Sequence, residues 1–273
     1  MKLVTFTYKN RTQLGEIIDD YVYALSSSDT VRMHEMIRRG VTPNRVSQRY
    51  PLAEVRLRAP LRPGKIVAIG RNYAEHAKET GNEPPPRPLI FAKFPSSVID
   101  PGEAITWSES VTKEVDWEVE LAVIIGRKAK HVSEEDAMNY VFGYTVANDV
   151  SARDLQLRTD GQWTRGKSLD TFCPLGPIIV TRSDIADPQN LNLRTTVNGE
   201  VMQDGNTRDM IFKIPYLIHY ISKHFTLEPA DIILTGTPPG VGEGRKLYLK
   251  DGDVVSCSVE GIGELTNPCK VVE

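Results

Sequence analysis

Cysteine is scarce in this chain. Among 273 residues only Cys173, Cys257 and Cys269 occur, far apart and with no CxxC pair. That spacing argues against a disulfide framework or a zinc knuckle. It fits a reducing compartment, so a cytoplasmic location is expected. Long apolar runs are missing too. None approaches the roughly 18–20 residues of a membrane span. The opening MKLVTFTYKNRTQLGEIIDD has neither the apolar stretch nor the small-residue cleavage site of a signal peptide. A charge excess is also absent: 33 Lys and Arg against 36 Asp and Glu leave −3. No long-range field therefore draws the chain toward nucleic acid or an anionic membrane. There is no internal repeat and no low-complexity tract. With 40% hydrophobic and 25% charged residues, there is apolar material for one large domain, or for a catalytic domain with a small appendage.

Punctuation divides the chain near residue 60. LVTFTY and YVYAL read as short strands and VRMHEMIRRG as a short helix ending at Gly40, so residues 1–60 form a small N-terminal α/β module. APLRPGK, with Pro60, Pro63 and Gly64, is a joint to residues 61–273. Beyond it KIVAIG, LIFAKF, YTVANDV and DIILTG read as strands. LRTTVNGEVMQD is a hairpin around Asn198-Gly199, and VVSCSV pairs antiparallel with GELTNPCKVV. NYAEHAKETG is a short helix ending at Gly81, and the prolines of EPPPRP make a surface loop. Ser133 with Asp136 predicts a helix over SEEDAMNYVFGY, and Ser151 with Asp154 another over SARDLQLR. MIFKIPYLIHYISKHF is the one long amphipathic helix. Strands dominate and regular βαβ alternation is absent, which makes the class α+β and strand-rich.

The stretch VDWEVELAVIIG, residues 115–126, carries three carboxylates at alternate positions, Asp116, Glu118 and Glu120, and then turns apolar. On one strand these side chains share a face and crowd together. Such a face lies in water, shares a proton, or holds a divalent cation. The apolar LAVIIG that follows argues against plain solvation. Asp149 stands at a second strand end, where a strand hands over to a helix. An all-oxygen set of this kind suits Mg²⁺ or Mn²⁺, whereas no Cys or His pairing suits zinc.

His76 and Glu79, three apart on a predicted helix, share a face. A carboxylate on one imidazole nitrogen fixes the tautomer and leaves the other as a base. The bland alternative is a chance surface pair. GQWTRGKS satisfies the P-loop spacing through Gly161, Gly166, Lys167 and Ser168. It lacks the apolar strand before it and the helix after it, and Trp163 and Arg165 are bulky for a phosphate cradle, so the match reads as accidental. Arg71 and Tyr73, just before His76, are candidates to meet a substrate carboxylate, with Arg71 doing so bidentately. Gln156 is a candidate to point inward. Each of these also reads as an ordinary structural polar residue. Cys173 precedes a proline with no nearby histidine and does not read as a nucleophile.

Taken as a spaced set, EVDWEVELAVIIG, NDVSARDLQ, TRGKSLDTFCPLGP, VNGE and DIILTGTPPGVG resemble the fumarylacetoacetate hydrolase family, from about residue 64 to the end. The resemblance implies a mixed β-roll catalytic domain, often dimeric. It implies Mg²⁺ or Mn²⁺ on Glu118, Glu120 and Asp149; Asp116, which precedes the E-x-E pair, matches no ligand and reads as a residue that orients the others. His76 with Glu79 would act as a base on a mobile segment, Lys167 as an active-site cation, and Thr237 as a pocket residue. The implied activity is on 2-oxo or 2,4-dioxo carboxylic acids through a stabilised enolate. C–C hydrolysis of an acylpyruvate comes first; oxaloacetate decarboxylation and keto–enol tautomerisation are the alternatives at the same site. The implied partners are a small keto acid and a second copy of the chain. Residues 1–60 lie outside the resemblance.

Overall fold

The computed structural model describes residues 1–26, 32–41 and 43–273. Among these, the architecture is two large sheets, a two-stranded ribbon of Val115–Asp116 and Ser151–Ala152, and few helices. A twelve-stranded sheet runs through Arg45–Pro51, Tyr21–Leu25, Arg11–Ile18, Lys2–Tyr8, Cys173–Thr181, Val141–Asn148, Val119–Ile125, Ile232–Leu234, Ile66–Gly70 and Leu89–Lys93, and off this path Arg56–Arg58 pairs with Lys2–Tyr8 and Val98–Ile99 with Cys173–Thr181. A five-stranded sheet holds Glu200–Asn206, Asn192–Val197, Val254–Val259, Gly263–Val272 and Ile105–Ser108. The N-terminal strands extend the large sheet without a break, because Lys2–Tyr8 pairs antiparallel with Cys173–Thr181, Leu3 opposite Ile179.

Val119–Ile125 is buried along its whole length, with antiparallel neighbours on both edges. That explains why VELAVII is almost uninterruptedly apolar: both faces of this strand are covered. Val119, Leu121, Val123 and Ile125 face one apolar cluster and Ala122 and Ile124 the other, the alternation a strand imposes.

Several expected elements form. The helix Met33–Arg39 ends on Gly40 in the left-handed region (φ 62°); Val31 lies outside the described residues. Ala74–Glu79 is helical. Asn198 and Gly199 both have positive φ (52° and 83°) between paired strands, the geometry of a tight two-residue hairpin. Ile214–His224 is the long helix, with Pro215 in its first turn, where a missing N–H costs nothing.

Three expectations need correction. The helix over SEEDAMNYVFGY reduces to a 3₁₀ turn, Ala137–Tyr140. Ser133 and Asp136 do exchange hydrogen bonds, but residues from Val141 on are drawn into the large sheet. Over SARDLQLR the chain forms a short bridge at Ser151–Ala152 and then a π-helical turn, Asp154–Thr159. Ser151 donates to the Asp149 carbonyl rather than capping, and Asp154 accepts from Thr112 Oγ1 and Lys113 N. Finally, VDWEVELAVIIG is two strands, Val115–Asp116 and Val119–Ile125. The interruption at Trp117 and Glu118 parts Asp116 from the other two carboxylates.

Ile124 is fully buried at the centre of the large sheet. Ile124→Ala is expected to destabilise the fold by about 2–5 kcal/mol, read as a lowered urea midpoint at unchanged slope; a loss under about 0.5 kcal/mol would show this strand is not central to the core.

Candidate active site

The ends of neighbouring strands build the site. Glu120 is the second residue of Val119–Ile125, and Asp149 directly follows Val141–Asn148 in the adjoining strand. Glu118 is held just outside its strand. Its N–H donates to Asn148 Oδ1 (2.9 Å) and its carbonyl accepts from Asp149 N (2.8 Å). One oxygen from each of Glu118, Glu120 and Asp149 lies within 4.8 Å of the others. All three residues are buried.

Cations surround the triad. Lys167 Nζ donates to Glu118 Oε2 (2.7 Å) and Asp149 Oδ2 (2.9 Å). Arg153 Nη2 donates to Glu118 Oε1 (2.7 Å) and its Nη1 to Gln156 Oε1 (2.9 Å). Lys93 Nζ stands 2.7 Å from Asp149 Oδ1 and donates to the Lys167 and Val150 carbonyls. Asp149 Oδ1 has only this charge contact and no aligned hydrogen-bond donor. Asp116 faces away from the triad, and Arg153 Nε donates to it at 2.7 Å.

Glu118 and Glu120 are therefore unlike. Burial works to raise Glu118, but Lys167 and Arg153 outweigh it and hold the carboxyl below its usual range. Glu120 accepts from a single backbone donor, Gly236 N, at 2.7 Å. Burial, then the charges of Asp149 and Glu118, push it well above the usual range. Gly236 makes that contact possible: its φ is +94°, and a Cβ there would sit 2.7 Å from Asn72 Cβ.

Whether this set fits a divalent cation can be judged from its charge. Asp116, Glu118, Glu120 and Asp149 carry one more charge than Lys93, Lys167 and Arg153 balance. The deficit falls on Glu120 and on the poorly partnered Asp149 Oδ1. An all-carboxylate set short of positive charge suits a hard divalent cation, so the residues fit one.

A small cavity of about 50 Å³ opens beside the triad, lined by Glu118, Glu120, Lys167, Arg71, His76, Gln156 and Thr237 together with Trp163, Phe91 and Leu157. His76 Nδ1 meets Glu79 Oε1 at 2.9 Å, and Glu79 Oε2 accepts from Gly240 N at 2.9 Å. The helix Ala74–Glu79 thus presents an oriented imidazole whose Nε2 is its unpaired nitrogen. Arg71 holds a left-handed backbone conformation (φ 57°) and packs its guanidinium on Trp163, 5.3 Å from the ring centre, without a carboxylate partner among the described residues. Gln156 spends its carbonyl oxygen on Arg153 and keeps its amide N–H groups. Thr237 is on the wall, but its hydroxyl donates to Val119 O and accepts from Gln203 Nε2. Tyr73 is buried behind the wall, with no partner for its hydroxyl.

The P-loop spacing has no structural counterpart. Trp163–Lys167 is a short helix, and Lys167 points at two carboxylates, which would repel a phosphate. Burial pushes the Cys173 thiol up to about 12, which leaves it inert. Sequence reasoning missed Lys93 and Arg153. The only signal for Lys93 was a lysine closing the otherwise apolar strand Leu89–Lys93. For Arg153 it was its place four residues after Asp149.

Comparison with known proteins agrees with this geometry. The family model for the fumarylacetoacetate (FAA) hydrolase C-terminal domain matches residues 65–270. A Rattus norvegicus protein named oxaloacetate tautomerase Fahd2a, mitochondrial, is 48% identical over 246 residues, covering 86% of this chain and 78% of its own. Two solved structures cover the whole of both chains. One is a 5-carboxymethyl-2-hydroxymuconate delta-isomerase from Mycobacterium smegmatis (40% identity, TM-score 0.86). The other is a fumarylacetoacetate hydrolase from psychrophilic Exiguobacterium antarcticum (38%, 0.89). The strand-rich α+β fold, the spaced motifs and the family match converge, and the chain belongs to the fumarylacetoacetate hydrolase family.

Proposed function

We propose that this protein is a divalent-cation-dependent enzyme of small 2-oxo acids that interconverts their keto and enol forms. The observation that carries the reading is the His76–Glu79 pair lining the same cavity as Glu118, Glu120 and Lys167. Glu79 on Nδ1 fixes the tautomer, so His76 Nε2 is the nitrogen that takes a proton from the carbon beside the keto group. The electron pair left behind moves onto the keto oxygen, and the proton returns there to complete the enol. Mg²⁺ or Mn²⁺ on Glu118, Glu120 and Asp149 would supply a Lewis acid that lowers the cost of negative charge on that oxygen. Lys167 adds a fixed positive charge beside it. Arg71, lacking a carboxylate partner, and the Gln156 amide are placed to hold substrate carboxylate groups.

Resemblance alone puts C–C hydrolysis of an acylpyruvate first. The names of the rat tautomerase and the mycobacterial isomerase, both proton-shifting reactions, favour tautomerisation, with oxaloacetate as the substrate to try. Hydrolysis stays as the second reading, because the same base can draw a proton from water and the Exiguobacterium neighbour is named a hydrolase. Oxaloacetate decarboxylation would use the same stabilised enolate. Dimerisation and a cytoplasmic location belong to the same proposal, resting on family resemblance and cysteine usage.

Purified protein with Mg²⁺ or Mn²⁺ is expected to speed enol-to-ketone conversion of oxaloacetate, followed by ultraviolet absorbance, faster than it releases pyruvate from acylpyruvates or CO₂ from oxaloacetate. Pyruvate release as the fastest reaction would put hydrolysis first. His76→Ala is expected to lower turnover by about 10²–10⁴-fold, and Glu120→Gln to abolish it. Full turnover after a chelator has stripped the protein would remove the cation from the scheme. Because Glu120 is held above the usual range, a proton there competes with the cation. Mn²⁺ affinity measured by calorimetry should therefore fall as pH is lowered; a pH-independent affinity would contradict the assignment.

A further inference from the structure

The segment 240–243 touches both halves of the site. Gly240 N donates to Glu79 Oε2 at 2.9 Å. Two residues on, Gly242 N and Glu243 N donate to Asp116 Oδ1 and Oδ2 at 2.7 and 3.0 Å. Trp117, the residue after Asp116, donates its indole N–H to the Gly240 carbonyl at 3.2 Å, and its backbone N–H to Asp116 Oδ1 at 2.8 Å. The segment lies directly on the carboxylate: a Cβ on Gly242 would stand 2.8 Å from Asp116 Oδ1 and collide with the Leu247 carbonyl. From its other side Asp116 receives Arg153 Nε and Nη2, both at 2.7 Å, and the same Nη2 reaches Glu118 Oε1 at 2.7 Å.

We infer that Asp116 is a positioning residue that sets the base and the cation site together, fixing Glu79 and His76 through the 240–243 segment and Glu118 through Arg153. Asp116 is fully buried, so each bond is charge-assisted in a region of weak screening. Glu243 N and the guanidinium arrive on the same oxygen, Oδ2, and Gly242 N on the other oxygen of the same carboxylate, so a shift of one is felt by the other. Coupling of this kind is reciprocal: a cation that steadies Glu118 and Arg153 also steadies the segment that carries Glu79.

The inference rests on the reading of His76–Glu79 as base and of Glu118, Glu120 and Asp149 as cation ligands. Asp116→Asn keeps the shape and removes the charge. With substrate absent, its Mn²⁺ affinity by calorimetry is expected to fall about 10–100-fold, the usual effect of losing a ligand-orienting partner. With Mn²⁺ then raised to saturation, kcat on oxaloacetate is expected to stay about tenfold down while KM moves less than about twofold, because the base remains misplaced after the cation is restored. A folded variant with unchanged Mn²⁺ affinity, or with kcat fully restored by saturating Mn²⁺, overturns the inference. Should Asp116→Asn fail to fold, hydrogen exchange on the unmodified protein decides. Mn²⁺ is expected to slow exchange of the Gly240, Gly242 and Glu243 amides, and no slowing overturns the coupling. Failure of the unmodified protein to bind Mn²⁺, or full activity in His76→Ala, instead removes the reading on which the inference rests.

Discussion

Everything at this site derives from carboxylates and cations packed where water does not reach. Asp116, Glu118, Glu120, Asp149, Lys93, Lys167 and Arg153 are each no more than 5% exposed. Stripping so many charges of water costs several kcal/mol per ion, and the cost is met only if every charge is closely partnered. Most are, through contacts of 2.7–2.9 Å. With all four carboxylates ionised one negative charge is left over, and Glu120, held above the usual range, is where a proton or a cation would offset it. A divalent cation would turn that deficit into an excess of one positive charge, and an anionic keto acid would then balance it. Cation and substrate would in this way be electrostatically linked, each making the cavity a better place for the other.

The fold brings these charges together by stopping strands rather than by dedicating a loop to them. Val119–Ile125, Val141–Asn148, Ile232–Leu234, Ile66–Gly70 and Leu89–Lys93 are neighbours in the large sheet. Glu120, Asp149, Gly236, Arg71 and Lys93 lie at or just beyond their ends. Because the strands are buried, their apolar side chains hold the backbone still, and the polar residues at the ends inherit that precision. The break at Trp117 and Glu118 belongs to the same design. A continuous strand would have put Asp116 in the triad, adding a fourth carboxylate to a face already short of positive charge. Interrupted, the chain leaves Asp116 outside the triad, sharing Arg153 Nη2 with Glu118.

The parts of this arrangement legible in the sequence are those whose partners are close along the chain. Glu118 and Glu120 at alternate positions and the His76–Glu79 spacing are local patterns, and the hairpin at Asn198-Gly199 is local chemistry. Lys93 and Arg153 were not legible, because a cation's role depends on which carboxylate the fold brings to it, and Lys93 meets Asp149 across 56 residues. The two failed helices have the same origin. Ser133–Asp136 and Ser151–Asp154 carry helix-starting chemistry, but distant parts of the chain claim the residues that a helix would need. The sheet takes Val141 onward, and Thr112 and Lys113 take Asp154. Capping is a weak local preference, about 1 kcal/mol, and tertiary bonds override it.

The His76–Glu79 pair is the least self-supporting part of the site. The helix Ala74–Glu79 has six residues, far short of the roughly 12–15 at which an isolated helix becomes even marginally stable. Its place is set by what it touches: Glu79 on Gly240 N, the bridge between Tyr73 and Met210, and Asn72, whose side chain spans Phe212 and Thr235. The three carboxylates of the triad, in contrast, sit at or beside the ends of long buried strands. Under the proposed function, a firm charge cage with a dependent imidazole would keep enolate stabilisation fixed and leave the placing of the proton acceptor open to adjustment. Tautomerisation, hydrolysis and decarboxylation share the first requirement and differ in the second. On the proposed reading, the choice among them rests less on the carboxylates than on the contacts that hold His76.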